Sequence, residues 1–422
     1  MTDRREFDVL VIGAGPAGLA AACCAAEAGR RVGIVDDNPA AGGQIWRGEQ
    51  TSPSTATAAK WFQRIRDANI EFLSGARVVN QTSSLVLLAE SDDKLFELAC
   101  EKIILATGAR ERFLPFPGWT LPGVTGAGGL QALVKSGMPI DGKRVVVAGS
   151  GPLLLAVVAY LHKAGAFVTS IAEQANRGRI IKFGLGLIGD PSRISQAVRL
   201  KWQLRGVPYL TGCWPIRADG DQMLQTVTLR RGDRTWDEPC DYLACGFGLV
   251  PNIELPMIMG CALQSGTVQV DDWQETSVTG IYCAGEPTGI GGLELSLIEG
   301  QIAGYVAAGM KHRAERLFAA RTQARKFAGR LERTFELRDE LRGLPDPATI
   351  ICRCEDVRYE QLQDRVSWRE AKLQTRCGMG PCQGRICGAA TEFLFGWGMT
   401  SVRPPLFPVR LENLAKSSVS PD

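Results

Sequence analysis

Histidine is nearly absent from this sequence. Only His162 and His312 occur among the 422 residues, and neither lies in a constellation with a nucleophile or a carboxylate. No metal-hydrolase, Ser-His-Asp or paired-carboxylate signature is present. Because hydrolytic and acid–base mechanisms depend on such positioned groups, the sequence argues against them and assigns no catalytic residue.

Charge of one sign and long apolar runs are also scarce. A net charge of +3 without a long basic block argues against a nucleic-acid partner or an anionic membrane surface. The apolar run 145–161 is short for a membrane span and is interrupted by Gly149, Gly151 and Pro152, so a buried strand and helix is favoured over a span. Met1 to Asp8 leads into the first strand without an apolar signal segment, which predicts a cytoplasmic protein.

Cysteine is plentiful, with 13 residues. Without a signal segment, this number favours thiols or metal ligands over disulfides. Eight of the cysteines, including Cys23 and Cys24, are predicted to be small core residues. The other five crowd into one C-terminal segment: Cys352, Cys354, Cys377, Cys382 and Cys387.

The most specific motif lies between Phe7 and Asp36. An apolar strand, the sequence GAGPAG, an alanine-rich helix and a second strand ending on an acid together form the dinucleotide-binding fingerprint. Its first glycine permits a tight turn, its second lets amides approach a pyrophosphate, and its third allows the helix to pack on the sheet. The pyrophosphate is expected at the helix N-terminus and a ribose on the acid. The predicted binding residues are Gly13, Gly15, Pro16, Ala17, Gly18 and Asp36.

Three further turns are predicted to reach the same cofactor. One follows the second strand, although an ordinary surface loop is the alternative there. Another ends the buried strand in KIILATGAR (102–110), where small residues allow a flat or anionic group to approach. The third, in the sequence AGEP, places a glutamate where it can hydrogen-bond a polyol. The residues concerned are Gly43, Gln44, Ala106, Thr107, Gly108, Gly285 and Glu286.

A second, weaker glycine motif begins near Lys143. Gly149 and Gly151 match the fingerprint, but Leu154 occupies the third position, where a leucine cannot allow the same close packing. Glu173 stands where a ribose-binding acid is expected. The motif predicts a second nucleotide pocket, and a structural domain that has lost its ligand is the alternative.

The cysteine tail is predicted to bind a metal. A CxC pair with a later pair can supply four thiolates, and because zinc usually prefers CxxC pairs, iron is favoured. Ser367 to Glu370 is a capping box that starts a helix to about Arg376, which would bring the two cysteine groups together. Zinc, or a redox disulfide between Cys382 and Cys387, is the alternative.

The order of these motifs resembles the flavoprotein disulfide reductase superfamily over roughly residues 7–310. The resemblance implies FAD in the first site, with its ribose on Asp36 and its ribityl chain near Glu286, where relatives usually carry aspartate. No cysteine pair follows the first fingerprint helix, and none occupies the second domain at CxxC spacing. Disulfide reduction at the flavin is therefore disfavoured.

The tail motifs CRCE and GMGPCQGRICG resemble the bacterioferritin-associated ferredoxin domain. The similar form is the one fused to flavoprotein alpha subunits of heteromeric amino-acid dehydrogenases and oxidases: proline and hydroxyproline dehydrogenases, opine oxidases and hydrogen cyanide synthase. The resemblance extends through VRPPLFPV (402–409). It implies a 2Fe-2S cluster on Cys352, Cys354, Cys382 and Cys387, with Cys377 as a spare.

The expected fold is α/β, with two Rossmann-like dinucleotide-binding domains and a small helical 2Fe-2S domain. Residues 1–125 and 251–310 are predicted to form the FAD domain, 126–250 the NAD-like domain, 311–345 a helical linker, 346–395 the 2Fe-2S domain and 396–422 a tail.

The resemblance implies that the chain functions as the electron-transfer alpha subunit of such a complex. The partner beta subunit, with its own FAD, would oxidise a D- or secondary amino acid, and a small gamma subunit would complete the complex. The resemblance also implies an adenine nucleotide (NAD, ATP or ADP) in the second domain, FMN at a contact between subunits, and membrane association only through an electron acceptor. The alternatives are a stand-alone NAD(P)H-dependent ferredoxin-type reductase and a non-catalytic nucleotide-binding scaffold.

Overall fold

The computed structural model describes residues 2–92, 94–187, 195, 204–399 and 401–417. The chain divides into two compact units. Unit 1 comprises residues 1–110, 251–328 and 401–422, and unit 2 comprises residues 111–250 and 329–400. The domain boundaries given above remain predictions.

Unit 1 is built on a seven-stranded sheet of order β3-β2-β1-β6-β5-β4, with β19 paired to β6. Strands β1, β2, β3, β6 and β19 run parallel, and β4 and β5 add an antiparallel edge. Val9 of β1 pairs with Val32 of β2 on one side and with Lys102 of β6 on the other. All of β2 and the last four residues of β1 are buried. The strands are β1 (Asp3–Ile12), β2 (Val32–Asp36), β3 (Ile70–Ser74), β4 (Arg77–Ser83), β5 (Val86–Glu90), β6 (Leu95–Leu105) and β19 (Ile281–Cys283).

Two helices of unit 1 cross at backbone contact. They are α1 (Pro16–Glu27) and α7 (Gly292–Ala307). A Cβ on Gly300 or Gly304 of α7 would lie 2.2 Å from the main-chain oxygen of Ala17 or Ala21 of α1, respectively. Glycine is therefore required at both positions, and the two helices form one buried layer over the sheet.

Unit 1 contains further helices and one small hairpin. They are α2 (Ala56–Asp67), α6 (Glu254–Ile258), α8 (Lys311–Glu315), α12 (Leu411–Ser417) and the hairpin β17 (Leu263–Gln264) and β18 (Thr267–Val268). Helix α9 (Phe318–Phe335) contains the boundary between the units, and so do the strands β7 (Ala109–Glu111) and β16 (Leu249–Pro251).

Unit 2 contains a five-stranded parallel sheet of order β11-β10-β9-β15-β8. A separate antiparallel sheet has the order β12-β13-β14. The strands are β8 (Val124–Gly126), β9 (Arg144–Gly149), β10 (Phe167–Glu173), β11 (Tyr209–Thr211), β12 (Cys213–Asp219), β13 (Thr226–Arg231), β14 (Arg234–Pro239) and β15 (Tyr242–Gly246). Helices α3 (Ala127–Lys135) and α4 (Leu153–Lys163) pack on the parallel sheet, and α5 (Arg177–Leu185) follows β10.

The cysteine region forms the last part of unit 2. It contains β20 (Ile350–Cys352), β21 (Val357–Arg358), α10 (Trp368–Thr375) and α11 (Cys387–Phe395). The hydroxyl of Ser367 accepts the N–H of Glu370, 3.2 Å away, which confirms the predicted cap of α10. Ile351, Leu362 and Trp368 join the cysteines in a small core of their own.

The Ser/Thr/Ala-rich stretch 49–59 predicts a loop, Trp61 to Ala68 a short helix and Ile70 to Val79 a strand. The observed bounds differ. Helix α2 begins at Ala56, inside the predicted loop 49–59, because the hydroxyl of Thr55 accepts the N–H of Ala58. The strand predicted from Ile70 to Val79 is divided at Gly75, where the backbone turns with a φ of +66°. No helix among the described residues combines the length and hydropathy needed to cross a membrane.

Candidate functional site

The first glycine loop connects β1 to α1, and of its three glycines Gly15 alone faces open space. A Cβ on Gly13 would lie 2.2 Å from the oxygen of Ala106, and one on Gly18 would lie 1.8 Å from the oxygen of Gly13. A Cβ on Gly15 would meet no atom within 4 Å. The two outer glycines therefore close the turn, and Gly15 forms the floor of a cradle at the N-terminus of α1, which suits a pyrophosphate.

Asp36, at the end of β2, is buried and held beside this loop. Its Oδ2 accepts the N–H of Ala14 at 2.5 Å, and its Oδ1 accepts the main-chain and side-chain N–H groups of Asn38, each at 2.8 Å. The guanidinium of Arg47 donates to the Oδ1 of Asn38 at 2.8 Å. The Nε of Arg47 is buried without a hydrogen-bond partner among the described residues. An unpaired cationic donor next to the cradle fits the phosphates of a dinucleotide.

The loop after β2 packs on the glycine loop. The N–H of Gly42 donates to the oxygen of Ala14 at 2.8 Å, and a Cβ on Gly43 would lie 2.9 Å from the Cα of Gly15. Gly43 therefore belongs to the wall of the cradle. Gln44 is exposed, so its contact with a cofactor stays a prediction.

The turn after β6 is hydrogen-bonded to Asn252, in a second segment of unit 1. The hydroxyl of Thr107 donates to the oxygen of Asn252 at 2.7 Å, and the side-chain amide of Asn252 donates to the oxygen of Thr107 at 2.8 Å. The N–H of Asn252 also donates to the oxygen of Gly108. Ala106 forms the rear of the cradle through its contact with Gly13. The small residues of this turn thus lie where the sequence predicted them, whereas no sequence motif identified Asn252.

Gly285 and Glu286 begin the connection from β19 to α7. A Cβ on Gly285 would lie 2.8 Å from the Cβ of Ala17, so this turn also touches α1. The carboxylate of Glu286 accepts the N–H groups of Gly291 and Gly292, at 3.2 and 2.9 Å. Burial raises the pKa of Glu286 to about 7. In the structure Glu286 therefore binds the start of α7, and its contact with a ribityl chain stays a prediction.

Glu299 is a buried acid that no sequence motif identifies. It lies on α7, is 1% exposed, and accepts from the N–H of Gly285 and the hydroxyl of Thr288, at 3.1 and 2.8 Å. The guanidinium of Arg325 pairs with it at 2.8 Å. These contacts hold the Gly285 turn against α7, and they involve residues too far apart in the sequence for a local motif.

The second glycine loop, in unit 2, repeats part of this arrangement. Glu173 at the end of β10 is fully buried and accepts the N–H groups of Gly151 and Ala175, each at 2.8 Å. Burial raises the pKa of Glu173 to about 7. A Cβ on Gly149 would lie 1.9 Å from the oxygen of Gly246, so this glycine is needed for chain packing.

This loop also binds the chain that follows α9. The hydroxyl of Ser150 donates to the oxygen of Phe335 at 2.7 Å, and the amide of Gln174 donates to the oxygen of Glu336 at 3.2 Å. The ring of Phe335 lies 3.8 Å from the position of a Cβ on Gly151. The carboxyl edge of the sheet, where a nucleotide was predicted, therefore touches the chain's own residues.

The five C-terminal cysteines meet in one site with two parts. The sulfur atoms of Cys352, Cys377 and Cys387 all lie within 4.8 Å of one another, and all three residues are buried. The two neighbouring thiols and the N–H of Gly378 donate towards Cys352, which lowers the pKa of the Cys352 thiol and raises those of Cys377 and Cys387.

Cys354 and Cys382 form the second part. Cys354 is exposed and Cys382 half-buried, and their side chains hydrogen-bond each other. A Cβ on Gly380 would lie 2.3 Å from the Cβ of Cys354, so the two loops touch here. Five thiols converging from β20 and from the loop before α11 form a donor set that suits iron and sulfide, because such clusters are held by thiolates. Cys377, which the resemblance implied to be a spare, lies among these thiols, and the ligand set stays a prediction.

The other eight cysteines are separate from this site. Seven are buried and Cys100 is half-buried. Burial raises the pKa of several of their thiols, including Cys23 and Cys240, to about 12. They are therefore protonated core residues at neutral pH and not thiolate ligands.

Comparison with known proteins agrees with this organisation. Residues 7–311 match the family described as pyridine nucleotide-disulphide oxidoreductase. One of the subunits of the opine oxidase of Agrobacterium tumefaciens is 31% identical over 98% of this chain and 92% of that protein. The HcnB subunit of the hydrogen cyanide synthase of Pseudomonas protegens is 32% identical over 90% of each chain. The L-proline dehydrogenase of P. horikoshii has the same fold, with a TM-score of 0.70 at 19% identity over 98% of this chain and 80% of that one.

These matches confirm the α/β fold with Rossmann-like dinucleotide domains. They also confirm the resemblance to flavoprotein subunits of amino-acid oxidases and dehydrogenases, whereas the 2Fe-2S cluster and the individual binding residues stay predictions. The chain belongs to the pyridine nucleotide-disulphide oxidoreductase family and is an FAD-dependent oxidoreductase.

Proposed function

We propose that this chain is the electron-transfer subunit of a heteromeric dehydrogenase that oxidises a D- or secondary amino acid of the hydroxyproline, proline or opine type. The amino acid is oxidised in a partner beta subunit. The observation that carries the proposal is the convergence of five thiols in one site of a chain that also contains a dinucleotide cradle. The similarity of nearly the whole chain to one subunit of an opine oxidase supports the partner arrangement.

The residues of unit 1 fit FAD. The amides at the start of α1 and the surface above Gly15 are suited to the pyrophosphate, and Arg47 offers an unpaired donor beside it. Asp36 is fixed by Ala14 and Asn38 in a position suited to the adenosine ribose. When bound, FAD and an iron–sulfur cluster supply the redox chemistry, and the protein supplies their placement and potential.

The cysteine region fits a cluster that exchanges single electrons. Cys352, Cys354, Cys382 and Cys387 are the proposed ligands. The N–H of Gly378 lies 3.4 Å from the sulfur of Cys352. Hydrogen bonds to ligand sulfur raise the potential of such clusters, which would favour reduction of the cluster by a flavin.

The test is anaerobic reduction of the purified chain, first alone and then with the partner subunit added. Proline, hydroxyproline, D-amino acids and opines are added to each preparation, and the flavin absorbance is followed. We expect bleaching only when the partner is present. Bleaching of the isolated chain by an amino acid would place the substrate site here and contradict the proposal.

A stand-alone NAD(P)H-dependent reductase is the second candidate. The observation in its favour is the second glycine loop, in which Glu173 binds Gly151 much as Asp36 binds Ala14. Rapid bleaching of the isolated chain by NADH or NADPH would support it. If neither a reduced nucleotide nor an amino acid with the partner bleaches the flavin, the chain is instead a nucleotide-binding scaffold.

A further inference from the structure

The buried part of the cysteine site contains three thiols. Two thiolates on one tetrahedral metal ion, each about 2.3 Å from it, lie about 3.8 Å apart. The sulfur atoms of Cys352, Cys377 and Cys387 are already within 4.8 Å of one another. Any two of the three can therefore reach one iron with a small movement of their side chains.

The second, more exposed part of the site contains two thiols and not three. Cys354 and Cys382 contact each other, and the group of three mutually close thiols does not include them. Each iron of a 2Fe-2S cluster takes two protein ligands. The exposed iron would thus require both Cys354 and Cys382, whereas the buried iron would have one thiol more than it needs.

We propose that Cys377 is an interchangeable ligand of the buried iron, able to replace either Cys352 or Cys387. This inference rests on the proposed iron–sulfur function. Cys377 is 0% exposed, so its thiol cannot turn to solvent and remains beside the metal whichever pair is bound. The exposed iron has no reserve ligand, so loss of Cys354 or Cys382 removes the cluster.

The test is a set of cysteine-to-alanine variants of the full chain, prepared anaerobically. Iron, acid-labile sulfide and the electron paramagnetic resonance spectrum of the reduced protein are measured. We expect Cys352→Ala and Cys387→Ala each to keep the cluster with a shifted spectrum. We expect C352A/C377A, C377A/C387A, Cys354→Ala and Cys382→Ala to lose it.

Controls separate loss of ligand from loss of fold. Cys240→Ala removes a buried thiol of the same unit outside the site and should keep a wild-type spectrum. Flavin content and thermal unfolding are compared across all variants. Retention of the cluster in both buried single variants, with loss in both double variants, supports the proposal. Loss in either buried single variant, or survival in a double variant, in Cys354→Ala or in Cys382→Ala, overturns it. A wild-type chain without iron and sulfide overturns the proposed function as well.

An independent observation concerns the second glycine loop. We infer that residues 335–338 of the chain are the resident occupant of this loop in place of a nucleotide. The hydroxyl of Ser150 and the amide of Gln174 donate to the main-chain oxygens of Phe335 and Glu336. The N–H of Arg338 donates back to the Oε1 of Gln174 at 3.3 Å.

Residues 335–338 occupy the position in which a nucleotide would be expected. Ligands of open α/β sheets lie beyond the carboxyl ends of the strands, above the glycine loop, and this is where Phe335 contacts Gly151. The space beside the segment is a cavity of about 290 Å³, at the lower limit of the ~300–1,000 Å³ typical of ligand pockets. A dinucleotide would have to displace the segment.

Nucleotide titration and limited proteolysis test this inference. The flavin-loaded full chain is titrated with NADH and ADP by calorimetry, and we expect no saturable binding. Trypsin cleavage after Arg338 should be slow in the wild type and faster in the Ser150→Ala/Gln174→Ala variant. Ser170→Ala, another buried serine of unit 2, is the control and should leave cleavage unchanged. Saturable NADH or ADP binding by the wild type, or unchanged cleavage in the double variant, would overturn the inference.

Discussion

Substituting Gly15 by alanine should separate folding of unit 1 from flavin binding. Gly15 has φ −73° and ψ −179°, which alanine adopts without strain. Its added Cβ would meet no atom of the chain within 4 Å. The flavin-free protein should therefore be as stable as the wild type, or more stable by about 0.4–1 kcal/mol, because alanine restricts the unfolded chain.

The same methyl group would project into the pyrophosphate cradle. Overpacking a close-fitted site costs about 1–3 kcal/mol, which corresponds to a weakening of FAD binding by roughly 5- to 150-fold. Urea unfolding of the flavin-free protein gives the first quantity, and titration with FAD followed by flavin fluorescence gives the second.

Two matched glycine variants control this experiment. Gly13→Ala should destabilise the flavin-free protein, because its Cβ would lie 2.2 Å from the oxygen of Ala106 and its φ is +108°. Gly184→Ala, within α5, meets no atom within 4 Å and should leave FAD affinity unchanged. Gly15 would not form the floor of the cradle if Gly15→Ala bound FAD as tightly as the wild type, or if its flavin-free form were as unstable as Gly13→Ala.

Three further predictions concern buried acids and thiols. Burial raises the pKa of Glu173 from 4.5 to about 7. The protonated carboxyl therefore adds to the free energy of unfolding at low pH, and this contribution is lost as pH rises through 7. At about 1.4 kcal/mol per pKa unit, the contribution is about 3 kcal/mol at most. Glu173→Gln should therefore gain stability relative to the wild type between pH 4.5 and 8 in urea unfolding, and a difference that does not vary with pH would contradict the assignment. Glu299→Ala should destabilise the protein by about 1–3 kcal/mol, because it leaves the N–H of Gly285 and the hydroxyl of Thr288 without their acceptor, whereas the side chain of Arg325 is 41% exposed and stays hydrated. Glu299→Gln keeps an acceptor oxygen and should cost less; a cost for Glu299→Gln equal to or above that of Glu299→Ala would contradict this role. Cys354, exposed while the other cysteines are buried or half-buried, should be the first thiol alkylated by iodoacetamide in metal-free protein and should be protected in iron-loaded protein; equal labelling in both would argue against its role as a ligand.

The parts of the fold that were predictable are those specified by short stretches of sequence. The first fingerprint brings Gly13, Gly15, Gly18 and Asp36 together through one strand, one helix and the next strand, so its geometry follows from local structure. The cap at Ser367 was predictable for the same reason. The cap at Thr55 was missed, because a stretch rich in serine and threonine is also typical of a loop.

The site residues that no motif identified form hydrogen bonds with partners that are far away in the sequence. Asn252 binds Thr107 from 145 positions away, and Phe335 reaches Ser150 across 185 positions. No periodicity or motif records such contacts. The sequence shows that residue 377 is a cysteine, but its sulfur comes to lie beside that of Cys352 only through the turn after α10.

The central claim is that one polypeptide holds both a flavin and an iron–sulfur cluster that exchange electrons. The most direct test is a reductive titration of the anaerobically purified chain, followed by absorbance and electron paramagnetic resonance. We predict that the chain takes up more electrons than its FAD content can hold, and that the excess appears as the signal of a reduced 2Fe-2S cluster. Uptake that matches the flavin alone, without iron or acid-labile sulfide, would contradict the account.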